Sequence, residues 1–484
     1  MEIQLQNSLT RENAPFTPIS PGHVGMYSCG PTVYWFAHIG NMRAFLFSDV
    51  LRRTFEYNGL DVTLVMNVTD VGHLVGDVDD GEDKMIVAML REGKSGYQIA
   101  EFYAQAFFAD LAALNVKPAA VYPRATDHIP EQIEMIQSLE RKGFTYRTSD
   151  GIYFDTARLP SYGRLSGQKS EDKMAGARVD MAEKLNATDF ALWKFSPEDA
   201  EREMEWESPW GTGFPGWHIE CSAMSKKYLG LPFDIHTGGI DHIPVHHENE
   251  LAQAMGAEGV LEANVWMHND FMTVDGGKMS KSLGNVYTIA NLVEKGFDPV
   301  AYRYFVLGSH YRSKLNFTWE AMEGAQNALN KLRAIVRDYP MTSPNPSLQK
   351  EGRQNVELPS PSKGEGQGEV RGGDHADRFL AAINDDLNTP AALAVVWDLV
   401  HDAAVDDATK AATLLRFDEV LGLRLSDYLG KQVDVPADVA ELVRLRDSAR
   451  SSKNWAESDR LRDAIAAKGF AVKDSPQGTK ISLA

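Results

Sequence analysis

The sequence predicts an α/β chain of several domains: a Rossmann-like parallel sheet, interrupted by an inserted segment and followed by an all-α region. Three observations carry this. A strand, a loop, a helix and a second strand follow one another between His23 and Asp70, the βαβ unit of a parallel sheet. Strand-like runs return after Leu231, beyond a stretch with helix and strand signals of its own. From residue 374 onward the periodicity is helical alone. At 484 residues the chain is too long for one core, so three or four domains are expected.

The elements follow in order. HVGMYSC, ending at Cys29, reads as a strand and meets a Gly-Pro turn. From Ile39 to Tyr57 the residues Phe45, Val50, Leu51 and Phe55 recur at helical spacing, and LDVTLVMNVTD then reads as a buried strand. Residues 1–116 are the first half of the sheet domain and 117–214 the insertion, where IPEQIEMIQSLERKGFTY is an amphipathic helix running into a strand. Residues 215–270 complete the sheet with FDIHTGG and VWMHNDFMTV, 271–320 carry a lysine loop, and 321–340 begin the helical region. In 341–373, 14 of 33 positions are Pro, Gly or Ser. Such a segment buries too little to offset its ordering entropy and is expected to be a flexible linker. Residues 374–430 read as a helical bundle, and 431–484 as a tail of two helices, the second closed by Gly469.

Hydrophobic residues make up 43% and charged residues 24%, an ordinary soluble composition. No apolar run approaches the roughly 20 residues that span a bilayer, and MEIQLQNSLTREN lacks the pattern of a secretory signal. A cytoplasmic protein is expected. The chain has two cysteines, Cys29 and Cys221, which excludes a disulfide framework. A net charge of −19 argues against nucleic-acid binding by the chain as a whole. From Glu441 to Ala484, however, nine Lys/Arg stand against six Asp/Glu, so the tail is locally basic.

CGPTVYWFAHIGN places His38, Ile39, Gly40 and Asn41 where a loop enters a helix. Backbone N–H groups and the helix dipole attract phosphate there. Gly40 is expected to give a purine ring room against the backbone, and His38 to donate to a phosphate oxygen. In DGGKMSKSLGN, Lys278 and Lys281 occupy a Gly-preceded polar loop, which suits a transferring triphosphate whose charge grows at the leaving pyrophosphate. Taken singly, the first segment reads as an ordinary loop-to-helix turn, and the second is open to reading as a solvated basic loop.

Four residues have zinc-ligand chemistry: Cys29, Cys221, His246 and Glu250. His246 and Glu250 are four apart at a helix start and share a face. Parallel strands are expected to bring both thiols to the carboxyl edge of the sheet, where ligands bind in this fold. A lone His/Glu pair is ordinarily a surface pair, but both cysteines of the chain fall in motifs that flank the nucleotide segments.

HIGN and KMSKS together resemble the paired HIGH and KMSKS signatures of class I aminoacyl-tRNA synthetases, the second letter for letter and the first with Asn41 for the final His. CGPTVY, GWHIECSAM, DIHTGG and HHENE, in this order, resemble one family of that class, the cysteinyl-tRNA synthetases. The resemblance covers nearly the whole chain outside 341–373. It implies ATP-driven formation of cysteinyl-adenylate and transfer to the terminal adenosine of tRNA(Cys). It implies one Zn2+ on Cys29, Cys221, His246 and Glu250, with His247 and Glu248 as neighbours. ATP, with Mg2+, is placed at Thr32, His38, Gly40, Asn41, Gly239, Asp241 and Lys281. Catalytic roles fall to His38, Asn41, Lys278 and Lys281, and the ribose falls to Asp241. L-cysteine is placed at Cys29, Thr69, Trp217 and His236. The resemblance makes 1–116 and 215–270 the catalytic domain, 117–214 its connective insertion, 271–320 the KMSKS and stem-contact region, and 431–484 the anticodon-binding tail. There Trp455 either stacks on an unpaired base or edges a core. A monomer is expected.

Two further features depart from the family. Thr237 stands where Gly is commoner, and no aromatic precedes Pro244; both are expected to change packing around the adenosine pocket. A ligase joining activated cysteine to an amino sugar would share the zinc and ATP motifs, but it has no use for an anticodon module, so residues 374–484 favour the tRNA enzyme. A zinc ion suits this substrate, because serine differs from cysteine by one atom and a plain pocket separates such near-isosteres poorly. Zinc takes sulfur in preference to a hydroxyl.

Overall fold

The computed structural model describes residues 2–72, 84–167, 183–196, 202–280, 283–340, 367–431, 435–475 and 478–483. They form two compact units, Met1–Met322 with Leu380–Leu393, and Glu323–Phe379 with Ala394–Ala484. No helix among the described residues is long and apolar enough to cross a membrane.

The first unit opens with the hairpin β1 (Gln4–Asn7) and β2 (Glu12–Pro15). β3 (His23–Ser28), α1 (Ile39–Tyr57) and β4 (Asp61–Met66) make the expected βαβ unit, with Met26 paired to Leu64 in parallel register. Val24, Met26 and Tyr27 are all fully buried, as a strand covered on both faces requires. α2 (Lys84–Glu92) and α3 (Gly96–Ala113) form a pair sharing Met85, Ala88, Ile99 and Ala100 as core.

Next comes α4 (Ile129–Arg141), the amphipathic helix read from the sequence. β5 (Thr145–Arg147), β6 (Gly151–Phe154), β7 (Phe190–Phe195) and β8 (Gly213–Pro215) then build an antiparallel sheet in that order. It packs on α4 through Ile136, Leu139, Phe154 and Leu192; each such buried side chain contributes about 2 kcal/mol.

α5 (Trp217–Leu229) leads to β9 (Phe233–Gly239), and α6 (Glu248–Glu258) to β10 (Ala263–Asn269). The parallel sheet has the order β10-β9-β3-β4. One crossover leaves β3 for β4 and the other leaves β9 for β10, in opposite directions, so the order reverses between β3 and β9. Ligands bind at such a switch point, at the carboxyl ends of the strands.

The run VWMHNDFMTV is not one strand. β10 stops at Asn269, and β11 (Met272–Val274) joins a separate sheet with β12 (Gly277–Lys278) and β13 (Leu315–Phe317). The Asp270 carboxylate accepts the Phe271 N–H at 2.7 Å and turns the chain. α7 (Ile289–Glu294) and α8 (Pro299–Leu307) follow. Arg303 of α8 lies 2.6 Å from Asp49 of α1, both fully buried.

α9 (Trp319–Asp338) lies where the helical region is expected to begin, and α10 (Gln367–Asn384), α11 (Thr389–His401) and α12 (Asp407–Leu421) span the segment read as a bundle. Of the expected linker, 341–366 lies outside the described residues, whereas 367–373 is helical and opens α10. No proline falls between Pro361 and Pro390 to stop a helix there. In the second unit the Phe379 and Phe417 rings stack at 4.0 Å. Val396 and Leu399 are buried. Leu387 is buried elsewhere, in the parallel-sheet core with Val24, Met26 and Phe55. Its left-handed turn is fixed by the Asp386 carboxylate, which accepts from Tyr311 at 2.6 Å and Gln6 at 2.9 Å.

The tail contains the two expected helices, α13 (Ala437–Ser451) and α14 (Trp455–Ala466), but it also carries a hairpin, β14 (Phe470–Ser475) with β15 (Gly478–Leu483). Phe470, Val472 and Ile481 of the hairpin cover Val439, Val443 and Ile465, and Arg446 grips Asp474 with two 2.9 Å bonds. Trp455 is 56% exposed, with the Arg450 guanidinium 5.6 Å from its ring.

Candidate functional site

A cavity of about 710 Å³ opens at the switch point. α1 begins there through a reciprocal cap. His38 Nδ1 accepts the Asn41 N–H at 3.1 Å, and Asn41 Oδ1 accepts the His38 N–H at 3.1 Å. Asn41 therefore has a structural task, which satisfies two donors a helix start leaves over. A Cβ on Gly40 would stand 2.4 Å from Met279 Cε, the tip of a flexible side chain of the lysine loop that would have to shift aside. Asn285 holds that loop, accepting from the Ser280 N–H at 2.8 Å and donating to the Lys278 carbonyl at 3.1 Å. Lys278 sits on β12 and lines the cavity; Lys281 lies outside the described residues.

Arg43, one turn further along α1, is fully buried and donates to five backbone carbonyls. These are Asp270 and Phe271 at 2.7 and 2.8 Å, His310 and Tyr311 at 3.2 Å, and Ser313 at 2.5 Å. It ties the helix carrying His38 and Asn41 to the segment that leads into the lysine loop.

At the end of β3, Gly30 donates to Asn67 Oδ1 at 2.7 Å, and a Cβ there would overlap the Asn67 carbonyl. This backbone approach sets Cys29 facing the cavity. Cys221 arrives differently from the expectation. No strand carries it: the chain leaves β8 at Pro215, and Cys221 sits one turn into α5. Pro215 has no N–H with which to extend a ladder. His246 is the fourth residue of a π-turn, Ile243–His247, and Glu250 follows on α6.

One donor atom from each of Cys29, Cys221, His246 and Glu250 lies within 4.8 Å of the others. His246 Nε2 is 2.9 Å from Glu250 Oε1, and the Trp217 ring stacks on His246 at 4.3 Å. A second set shares two members: Cys29, His236, His247 and Glu250. The two sets differ in access. Cys29, Cys221 and His246 line the cavity, whereas His236 and His247 lie behind it, fully buried. His236 holds the other Glu250 oxygen at 2.9 Å, and His247 bridges Cys29 at 3.2 Å and His268 at 2.7 Å.

The electrostatics separate the groups. A hydrogen bond from Cys29 lowers the Cys221 thiol, while burial and that same bond push Cys29 well up, so the pair favours one thiolate on Cys221. Burial raises Glu250, but the His246 and His236 imidazoles outweigh it and hold the carboxyl well below its usual range. Burial lowers His246, and Glu250 with Cys221 raises it further than that. Burial pushes His247 and His268 well down, and His242 to about 4, leaving neutral rings.

Thr32, Thr69, Trp217, Gly239 and Asp241 also line the cavity, as do His38, Gly40 and Asn41. His236, expected against the substrate, does not reach it, and Glu250 lies beneath it. Thr237 does not line it either. Its hydroxyl is 2.8 Å from Ser48 Oγ on α1, so this departure alters the sheet–helix seam. Thr69 donates to Glu220 Oε2 at 3.1 Å. His218, 2.9 Å from His246, was not singled out in the sequence, nor were His268 and Arg43, although both histidines lie inside the quoted runs GWHIECSAM and VWMHNDFMTV.

Residues 15–327 match the family described as tRNA synthetases class I (C) catalytic domain, 378–430 a DALR domain, and 432–481 the Cysteinyl-tRNA ligase anticodon binding domain. The chain is 50% identical to cysteine–tRNA ligase 1 of Burkholderia lata over 482 residues, covering 99% of this chain and 97% of the relative. It is 41% identical to the cysteine–tRNA ligase of Treponema denticola, covering 98% of each. Its fold resembles Mycobacterium tuberculosis methionyl-tRNA synthetase in complex with methionyl-adenylate, at TM-score 0.55 and 15% identity over 83% of this chain and 88% of that one.

Proposed function

The chain belongs to the cysteinyl-tRNA synthetase family of class I, and on that premise we propose that it charges tRNA(Cys) with cysteine, using zinc on Cys29, Cys221, His246 and Glu250 to select the thiol. One observation carries the reading: two thiols and an imidazole of a four-donor cluster line the same cavity as His38, Asn41 and Lys278. Thiolate, imidazole and carboxylate suit zinc, and a set that faces a cavity keeps a position for substrate. The His236–His247 set lacks that access, so His236 serves by orienting Glu250. Zinc held there supplies a soft Lewis acid that takes a thiol sulfur over a hydroxyl, where packing alone separates cysteine from serine poorly.

The chain's own groups do the rest. Trp217 and Thr69 bound the amino acid. Its carboxylate attacks the α-phosphorus of ATP, and pyrophosphate leaves with the bonding pair. With Nδ1 accepting a backbone N–H, a neutral His38 carries its proton on Nε2 and donates from there to a phosphate oxygen. Asn41 spends Oδ1 on the cap and donates through its amide nitrogen. Lys278 and Lys281 meet the charge that grows on the departing pyrophosphate, and Mg2+ arrives with ATP. Thr32 and Gly239 border the nucleotide, with Asp241 at its ribose. The terminal ribose hydroxyl of the tRNA then attacks the adenylate carbonyl and AMP leaves. Residues 431–484 read the anticodon. The test is charging: ATP–Mg, cysteine and tRNA(Cys) should yield cysteinyl-tRNA, and AMP release driven by an amino sugar without tRNA would overturn the assignment.

A further inference from the structure

Aromatic rings continue the cavity lining out to the surface. Trp35, Phe36 and Tyr103 line the cavity. Phe36 is nevertheless 40% exposed, and Phe102, outside the lining, is 47% exposed. The rings form one chain of edge contacts, with Phe36 at 5.9 Å from Trp35, 6.1 Å from Phe102 and 4.9 Å from Tyr103. Two cations are fixed over this chain. The Arg91 guanidinium is 4.0 Å from the Trp35 centroid, and Lys94 Nζ is 4.5 Å from that of Phe102. Glu92 holds both in place, at 2.6 Å from Arg91 and 3.2 Å from Lys94, while accepting the Tyr103 hydroxyl at 2.5 Å.

Exposed rings with cations locked beside them suit single-stranded nucleic acid. Any base can stack on such a ring, and phosphates meet the cations. We propose that Phe36, Phe102, Arg91 and Lys94 form a shelf that receives the unpaired 3′-terminal nucleotides of the tRNA on their way into the cavity. The proposal rests on the tRNA-charging reading. Two things select this occupant. The shelf is continuous with the cavity through Phe36, and the ribose to be charged must thread in as a single strand. The phosphate groups of ATP are met elsewhere, at His38 and Lys278. Because Glu92 offsets one of the two cations, stacking contributes more than charge.

The test uses the full chain with Phe102→Ala and Phe102→Tyr, changes at an exposed position. Three quantities are measured: cysteine-dependent ATP–pyrophosphate exchange, kcat/KM for charging tRNA(Cys), and the inhibition constant of the same tRNA shortened by its unpaired 3′ nucleotides. Phe102→Ala should leave exchange unchanged, lower charging by roughly ten-fold, and bind the shortened tRNA as wild type does. Phe102→Tyr should restore charging. Unchanged charging overturns the shelf, and so does an equal loss for shortened and intact tRNA, which would place the contact elsewhere on the RNA. A shift from dimer to monomer in Phe102→Ala would assign the face to a second copy of the chain instead. Absence of exchange in wild type is a different failure, because it removes the charging reading on which the shelf depends.

Discussion

Among the described residues, Cys221 belongs to one donor set, whereas Cys29 and Glu250 belong to both. Cys221→Ser should therefore lose bound zinc and most cysteine activation, seen by metal analysis and pyrophosphate exchange; a variant that keeps its metal would point to His236 and His247. His236→Ala should leave the ligand set intact but weaken zinc by roughly 10- to 100-fold, as loss of a ligand's orienting partner does. Lys281→Ala should slow adenylate formation and leave cysteine binding nearly unchanged; the reverse pattern would contradict a phosphate role. The ligand candidates were legible because thiols are scarce in this chain and the motifs around them are local. The histidine network was not, since His268 meets His247 only through the fold. Arg43 had no signal at all: its carbonyl partners lie 227 to 270 residues away.

Among the elements, α1 was readable to its limits because its cap residues and its apolar spacing agree. The β14–β15 hairpin was not, because two short strands that pair only with each other give little periodicity before Phe470, Val472 and Ile481 are seen to cover helices. The break after β10 was hidden too, since an apolar run does not reveal an Asp-made turn. Asp110 offers a test at this scale. It lies in the last turn of α3, where the helix dipole disfavours a carboxylate, and burial pushes it up to about 6 from an ordinary 3.8. The folded chain then holds that proton more tightly than the unfolded one. Its contribution to stability is complete below about pH 4 and is lost as pH rises through 6. Asp110→Asn should raise thermal stability at pH 7 and flatten its dependence between pH 4 and 6; an unchanged profile would contradict the burial.

At the scale of the whole molecule, a net charge of −19 says little about an RNA partner, because the relevant charge is local, in the basic tail and the cations fixed near the cavity. The tail has its own small core, so ending the chain at Gly430 should preserve cysteine-dependent exchange while lowering tRNA charging by well over ten-fold; loss of both would mean the tail supports the catalytic unit. Zinc selection of the thiol joins these scales, since it needs ligands from a strand end, a helix, a π-turn and a second helix to meet in one place. The most direct measurement is ATP–pyrophosphate exchange with cysteine and with serine, on protein carrying one zinc per chain and again after chelation. Exchange with cysteine, none with serine, and loss on chelation with recovery on zinc return is the predicted result. Equal exchange before and after zinc removal would contradict it.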